Sequence, residues 1–375
     1  MDRDLTTPEG DEGRDRPDLT RFTRRLRGPL GIVAVATTVL ALIATFTVLH
    51  MGRAFFLPLV LAVLLKFLLM PVLDFLKDRG LPAPIGSVVI LVSFLGLLTL
   101  GGARLAGPVA EWVNKAPQSL SEARLKLEEL KEPVEAIQRA GEEVEKLTDV
   151  SGGGEGAPAQ ATSDRPLSAQ MFEHARGFLV GSVLVVFLLY FLLAADDLFL
   201  RKLARVLPSM AERRKAVVII ESIERDLSRY IFVRTLMNAA FGAAVGVALW
   251  LVGMPNPVLW GVLAGVLNYV PYLGGLVGYV VVGFAALLSF DSTGRALLAP
   301  AVYFGLNVIE GNFLAPIVLG RQLRLNPVMI FVFLIFWAWI WGVPGALLAV
   351  PILAATKIVA DNVAALNPLG EFLGR

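Results

Sequence analysis

The 375-residue chain reads as an all-α, polytopic membrane protein, and three observations carry that reading. Hydrophobic residues make up 56% of it and charged residues only 18%, with a mean hydropathy of +0.68, whereas soluble domains carry about 25% charged residues. Apolar windows recur at 28–49, 54–73, 84–108, 177–195, 230–253, 254–290, 296–320 and 325–356, and about 20 apolar residues suffice for a helix to cross a bilayer. The window at 254–290 holds no Asp, Glu, Lys, Arg or His, is nearly two spans long, and is interrupted at Asn268-Tyr-Val-Pro271-Tyr-Leu-Gly274-Gly275. The expected architecture is about eight transmembrane segments, with broken or re-entrant helical hairpins among them and an extracytoplasmic helical insert.

Residues 1–28 are rich in charge, proline and glycine and end in Arg21, Arg24, Arg25 and Arg27, which predicts a disordered basic tail. The first window is too long for the core of a signal peptide and lacks a small-residue cleavage site, so it is read as an uncleaved span. The positive-inside rule then places the tail in the cytoplasm. The second and third windows complete a transmembrane block over 29–108, with a short cytoplasmic loop at 74–79.

Residues 109–176 form the external insert. Leu120, Ala123, Leu127, Leu130, Val134, Ile137, Gly141 and Val144 follow the alternating 3–4 spacing of a coiled coil. That helix either assembles copies of the chain, caps the external face, or packs on its own chain. Gly, Ser, Ala and Pro dominate 151–166, a flexible linker. Residues 111–176 carry 13 acidic against 8 basic residues, and 196–229 carry 6 against 8. The second of these is therefore cytoplasmic, and its apolar residues Leu203, Val206, Leu207, Ile219, Ile223 and Leu227 predict an interfacial amphipathic helix over 198–229.

The transmembrane core spans 177–360. Charge alternation is kept only if the broken window 254–290 enters and leaves on the external side, because Arg321 and Arg324 mark the next cytoplasmic loop. The last window is broken at Trp341-Gly-Val-Pro344-Gly345, and a second hairpin returns the tail, 361–375, to the cytoplasm. Glycines four apart at Gly242/Gly246, Gly261/Gly265 and Gly274/Gly278 let helix backbones approach closely.

Several chemistries are excluded. The chain has no cysteine, so disulfides and thiolate sites are absent, and no phosphate-binding Gly-x-x-x-x-Gly-Lys loop or hydrolase signature occurs. His50 and His174 lie far apart without metal-ligand partners. No cofactor, metal, catalytic residue or nucleic-acid partner is expected, and the partners are the lipid bilayer and a small solute or ion.

Ionisable groups inside spans cost roughly 2.5–3.5 kcal/mol on insertion scales and are functional candidates by default. The candidates are Lys66 in the second window, Arg234 near the cytoplasmic start of the fifth and Glu310 deep in the seventh, and Glu310 stands out, within Asn307-Val-Ile-Glu310-Gly-Asn312-Phe-Leu-Ala-Pro316. It serves either as a cation, proton or solute site or as one half of a buried ion pair with Lys66. The break offers a second cluster. Asn268, Tyr269 and Tyr272 supply polar groups there, and Pro271, Gly274 and Gly275 permit irregular backbone, which inside hydrocarbon survives only where protein or water covers it. Discontinuous helices of this kind build sites in secondary transporters; the alternative is a turn that only closes a hairpin.

The run from Pro257 through Asn268, Pro271 and Gly274, then Glu310-Gly-Asn-Phe-Leu-Ala-Pro316, Leu325-Asn-Pro327 and Trp341-Gly-Val-Pro344-Gly345 through Pro351, resembles the autoinducer-2 exporter family over roughly residues 30–360. The resemblance implies an exporter of small molecules in the bacterial inner membrane and a homo-oligomer. Members are linked to autoinducer-2, others to sodium/proton antiport. Glu310 and Asn312 match the family's motif near the seventh span, and Pro271 and Gly274 its helix break. The resulting expectation is secondary, non-ATP export of a small polar solute, with sodium/proton antiport or a non-transporting oligomeric scaffold as alternatives.

Overall fold

The computed structural model describes residues 29–113, 167–195, 209–319 and 325–374. The expected tail 1–28, the heptads over 120–144, the linker 151–166, the loop at 321–324 and part of the amphipathic segment, 198–208, lie outside these. The described residues are helical, and the lone β-bridge among them joins Leu325 to Gly374. Six helices are long and apolar enough to cross a membrane, and four shorter apolar ones accompany them. The protein is therefore a polytopic helical membrane protein. It divides into two compact units between Arg53 and Ala54.

The first unit contains α1 (Pro29–Met51), whose apolar side chains are exposed around its whole circumference, including Ile32, Leu40 and Ile43. A helix apolar on every face belongs in lipid. Three of its hydroxyls fit there, because Thr38, Thr45 and Thr47 each donate to the carbonyl four residues earlier, which satisfies them within the helix.

The second unit begins with α2 (Arg53–Asp78), a turn through Gly80 at φ +89°, and α3 (Ala83–Val113). Next come α4 (Leu167–Ala194) and α5 (Met210–Val252). The amphipathic segment and the fifth span were expected as separate elements, but from Met210 on they form one continuous helix. Nothing between Met210 and Val252 breaks it: that stretch has no proline, and its glycines are at Gly242 and Gly246. Those two glycines rest on Gly261 and Gly265, and a Cβ on Gly242 would lie 2.6 Å from the carbonyl oxygen of Gly261. The small residues thus bring α5 and α6 (Pro257–Leu267) into backbone contact.

The long uncharged window is a helix pair, as its break requires. α6 is 11 residues and α7 (Leu273–Ser289) is 17; at 1.5 Å per residue these are about 17 and 26 Å long, each short of a 30 Å hydrocarbon core. α8 (Thr293–Ile309) runs into a π-turn, Glu310–Leu314, and then α9 (Ala315–Leu319). The last window also splits, at Gly342 (φ +68°), into α10 (Pro327–Trp341) and α11 (Val343–Asn362). α10 starts on Pro327 with the Asn326 side chain accepting from the Val328 N–H at 3.0 Å, a well-formed helix start. A short 3₁₀ turn and α12 (Asn367–Leu373) end the described chain.

The larger cores of the second unit are two, beside a smaller cluster of Val270, Leu334 and Ala349 that joins the α6–α7 break to α10 and α11. Phe241, Val245, Leu249, Trp260, Val282, Ala286 and Tyr303 join α5 to α8; Ala62, Leu73, Ile90, Leu189 and Leu193 join α2, α3 and α4.

Candidate functional site

Position on α5 decides what the site contains. Leu227, Ile231, Asn238, Phe241, Val245 and Leu249 are buried along one face at steps of three and four, and Arg234 falls on that face between them. Its side chain is 14% exposed and lies 3.3 Å from Glu310, whose side chain is 10% exposed. Arg234 Nη1 donates to Glu310 Oε1, and Nη2 donates at 2.8 Å to the carbonyl of Asn268 in the helix break. One guanidinium therefore joins three elements: α5, the α6–α7 break and the end of α8.

Polar groups continue from this pair. Asn268 Nδ2 donates to Asn238 Oδ1 at 3.0 Å, and both residues are buried. The Tyr269 hydroxyl donates to Thr235 Oγ1 at 2.6 Å, and Thr235 donates in turn to the Ile231 carbonyl. On α8, Asn307 packs its amide against Gly275, where a Cβ would lie 3.0 Å from Oδ1. Tyr303 is 1% exposed, and its phenol fills the space left open by Gly278. The result is a polar seam between α5, α7 and α8 that starts at Arg234 and Glu310 and reaches Phe241 and Tyr303, whose rings meet edge to face at 5.9 Å. Seven residues of helix give it a length of about 10 Å.

The seam is incompletely satisfied. Asn238 Nδ2 and Tyr303 Oη are buried and have no hydrogen-bond partner among the described residues. A buried donor left unpaired costs about 1–3 kcal/mol, so a helical membrane protein that keeps two of them beside a buried ion pair has retained polarity where packing alone favours hydrocarbon.

Backbone irregularity is concentrated in the same place. Tyr272 has φ 63° and ψ −57°, and the Leu273 N–H donates to the Pro271 carbonyl at 2.7 Å; this is a γ-turn of the strained, positive-φ kind. Gly274 is required beside it, because a Cβ there would overlap the Leu267 carbonyl. Glu310 opens the π-turn, in which the Ala315 N–H reaches the Glu310 carbonyl five residues back. Pro316 explains the wide turn: it has no N–H to give the Asn312 carbonyl, and its ring would strike that oxygen in an ordinary helix.

The structure brings together Asn268, Tyr269, Gly274, Gly275, Asn307 and Glu310. Three other candidates lie apart from the seam. Tyr272 is 61% exposed and stacks on Phe331 at 5.5 Å; Asn312 is exposed and bonded to its own helix at the Val308 carbonyl; Pro316 is exposed. The alternative of a Glu310–Lys66 pair is corrected. Lys66 pairs with Glu224 at 2.7 Å, because α2 lies against the first half of α5, where the Ser228 hydroxyl also donates to the Phe67 carbonyl. Arg234 supplies Glu310's partner. Arg234 was expected as a functional candidate because it is a charge inside a span, but not as Glu310's partner; Asn238 and Thr235 were not expected, although the three–four spacing along α5 puts Asn238 on its buried face.

Among the described residues no group of three or more His, Asp or Glu is placed to hold a metal. The sequence model for AI-2E family transporters matches residues 38–365. Among similar proteins, YrrI of Bacillus subtilis, named only as a candidate transport protein, is 26% identical over 371 residues, covering 87% of this chain and 94% of its own length. The AI-2 transport protein TqsA of Escherichia coli K12 is 26% identical over 307 residues, 82% of this chain and 86% of TqsA. A candidate transport protein of Borreliella burgdorferi is 29% identical over 210 residues, 56% of this chain and 58% of its own length.

Proposed function

The chain belongs to the AI-2E transporter family, and on that premise we propose that it exports a small polar solute by a secondary, non-ATP mechanism along the α5–α7–α8 seam. The observation that supports this reading is the Arg234–Glu310 pair, buried at one end of the seam and bonded directly to the helix break through the Asn268 carbonyl. A solute or ion that engages either charge competes with the pair, and releasing Arg234 also releases the break. That links occupancy to backbone movement at an already strained point. Beyond Tyr303 the seam gives way to the apolar packing of Val245, Leu249, Trp260, Val282 and Ala286, which closes the far side in this conformation, as alternating access requires of one of its states.

In this reading Glu310 and Arg234 receive the solute or its coupling ion, Asn268, Asn238, Asn307 and Tyr303 offer hydrogen bonds along the way, and Pro271, Gly274 and Gly275 let the hairpin open. The role is transport and not catalysis. The chain sits in a bacterial inner membrane with its N-terminus cytoplasmic, and it assembles as a homo-oligomer, the external heptads over 120–144 being available for that contact.

Reconstituted vesicles loaded with a solute panel test the reading. Glu310→Gln keeps the size of the side chain and one acceptor oxygen but not its charge, so efflux should fall to the level of protein-free vesicles while the protein still purifies as folded material. Efflux at the parental rate overturns it.

A further inference from the structure

A second polar cavity lies away from the seam. It has a volume of about 510 Å³ between the C-terminal half of α2 and the first half of α5. Arg225, Arg229 and Phe232 line it at steps of four and three on one face of α5. Arg229 and Arg234 are five residues apart, which turns them roughly 140° from each other around the helix. The cavity and the seam therefore occupy different sides of α5.

The lining carries Asp74, Glu221 and Glu224 against Lys77, Arg225 and Arg229, and Lys66 beside it adds a fourth cation. Glu224 is neutralised by Lys66 at 2.7 Å and Asp74 by Lys77 at 3.3 Å. Arg225 and Arg229 have no ion pair or hydrogen bond with any described residue, and only Glu221 stands against them in the lining. Like charges one helical turn apart repel by a few tenths of a kcal/mol, and two guanidinium forks converging on one space match the oxygens of a phosphate. The remaining wall is apolar: Met70 and Pro71 on α2, Phe232 and Val233 on α5. On α2 these side chains are followed by Asp74, Lys77 and Asp78, and on α5 they are preceded by Arg225, Asp226 and Arg229, so the cavity sits at the charged end of both helices.

We propose that this cavity binds the phosphate of an anionic phospholipid, with Arg225 and Arg229 on the phosphodiester and the first acyl carbons against Met70 and Phe232. Basic pockets between helices at a membrane surface recognise lipids through this combination of charge and apolar wall. Here the lipid fills the space between α2 and α5 beside the Lys66–Glu224 pair, joining the α2–α3–α4 core to α5.

The test uses the full chain in detergent, with thermal unfolding and native mass spectrometry as readouts. Added phosphatidylglycerol should raise the unfolding temperature and remain bound to the intact protein, and phosphatidylcholine should do neither. The double variant Arg225→Gln/Arg229→Gln should lose at least five-fold in retained phosphatidylglycerol, Arg225→Lys/Arg229→Lys should keep most of it, and Lys215→Gln, on the same helix but outside the cavity, should match the parent. Inorganic phosphate that reproduces the full shift identifies the site as one for a soluble anion and overturns the lipid assignment. Equal stabilisation by phosphatidylcholine, or undiminished retention in the folded double-Gln variant, overturns it as well.

Discussion

Removing one member of the Arg234–Glu310 pair strands the other charge among helices. Breaking a buried pair costs about 3–5 kcal/mol, and with side chains 14% and 10% exposed the lower end applies here. Arg234→Ala should therefore lower the unfolding temperature more than Glu310→Gln does, because the first leaves a carboxylate without its cation and the second leaves a neutral amide that still accepts from a guanidinium. The double variant Arg234→Gln/Glu310→Gln should recover much of the stability and none of the transport. Denaturation and vesicle efflux measured on the same preparations check this, and a double variant that transports would reduce the pair to a structural clamp. Glu310 was legible in the sequence, since a lone carboxylate in an apolar span announces itself. Its partner was less so: Lys66 and Arg234 both lie in apolar windows, and only the packing of α2 against the first half of α5 assigns Lys66 to Glu224.

Among elements, the α6–α7 break makes separable demands on its glycines. A Cβ at Gly274 would overlap a backbone carbonyl, that of Leu267, which cannot move without shifting the end of α6. At Gly275 the nearest atoms belong to the Asn307 amide, 3.0–3.1 Å away, which can rotate aside. At Gly311 nothing lies within 4 Å, and alanine stabilises a helix interior by about 0.5–1 kcal/mol relative to glycine. Gly274→Ala should thus be the most damaging to folding, Gly275→Ala milder, and Gly311→Ala neutral or stabilising; thermal unfolding of the three in detergent ranks them. A Gly274→Ala protein as stable as the parent would mean the break is not packed as described. The break itself was readable, because Pro271 and paired glycines inside an over-long uncharged run leave a helix no way through. The π-turn and the continuity of α5 were not. The first depends on how Gly311 and Pro316 share one turn, and the second on helix propensity carrying on through a change from charged to apolar composition that resembled a boundary.

For the whole molecule the remaining question is which way the helices point, and contacts between distant parts of the chain limit the answers. Trp112, near the end of α3, meets Trp260, near the start of α6, at 5.0 Å, so the α6–α7 pair begins on the side where the insert begins. The Asn326 N–H donates to the Leu373 carbonyl at 3.0 Å, so α10 starts and the chain finishes at one end of the bundle, as a hairpin of α10 and α11 requires. The proposed orientation, with the insert outside, rests on the acidic excess of 111–176 and the arginines of 1–28. Because the chain has no cysteine, single substitutions can report on each loop without background. Ser151→Cys and Ser292→Cys should react with a membrane-impermeant maleimide in intact cells, and Thr6→Cys and Lys215→Cys only after permeabilisation. Labelling of Ser292→Cys in the pattern of Lys215→Cys would mean that residues 254–290 cross the membrane an odd number of times. The hairpin, and with it a seam closed at its far end by α6, would then have to be given up.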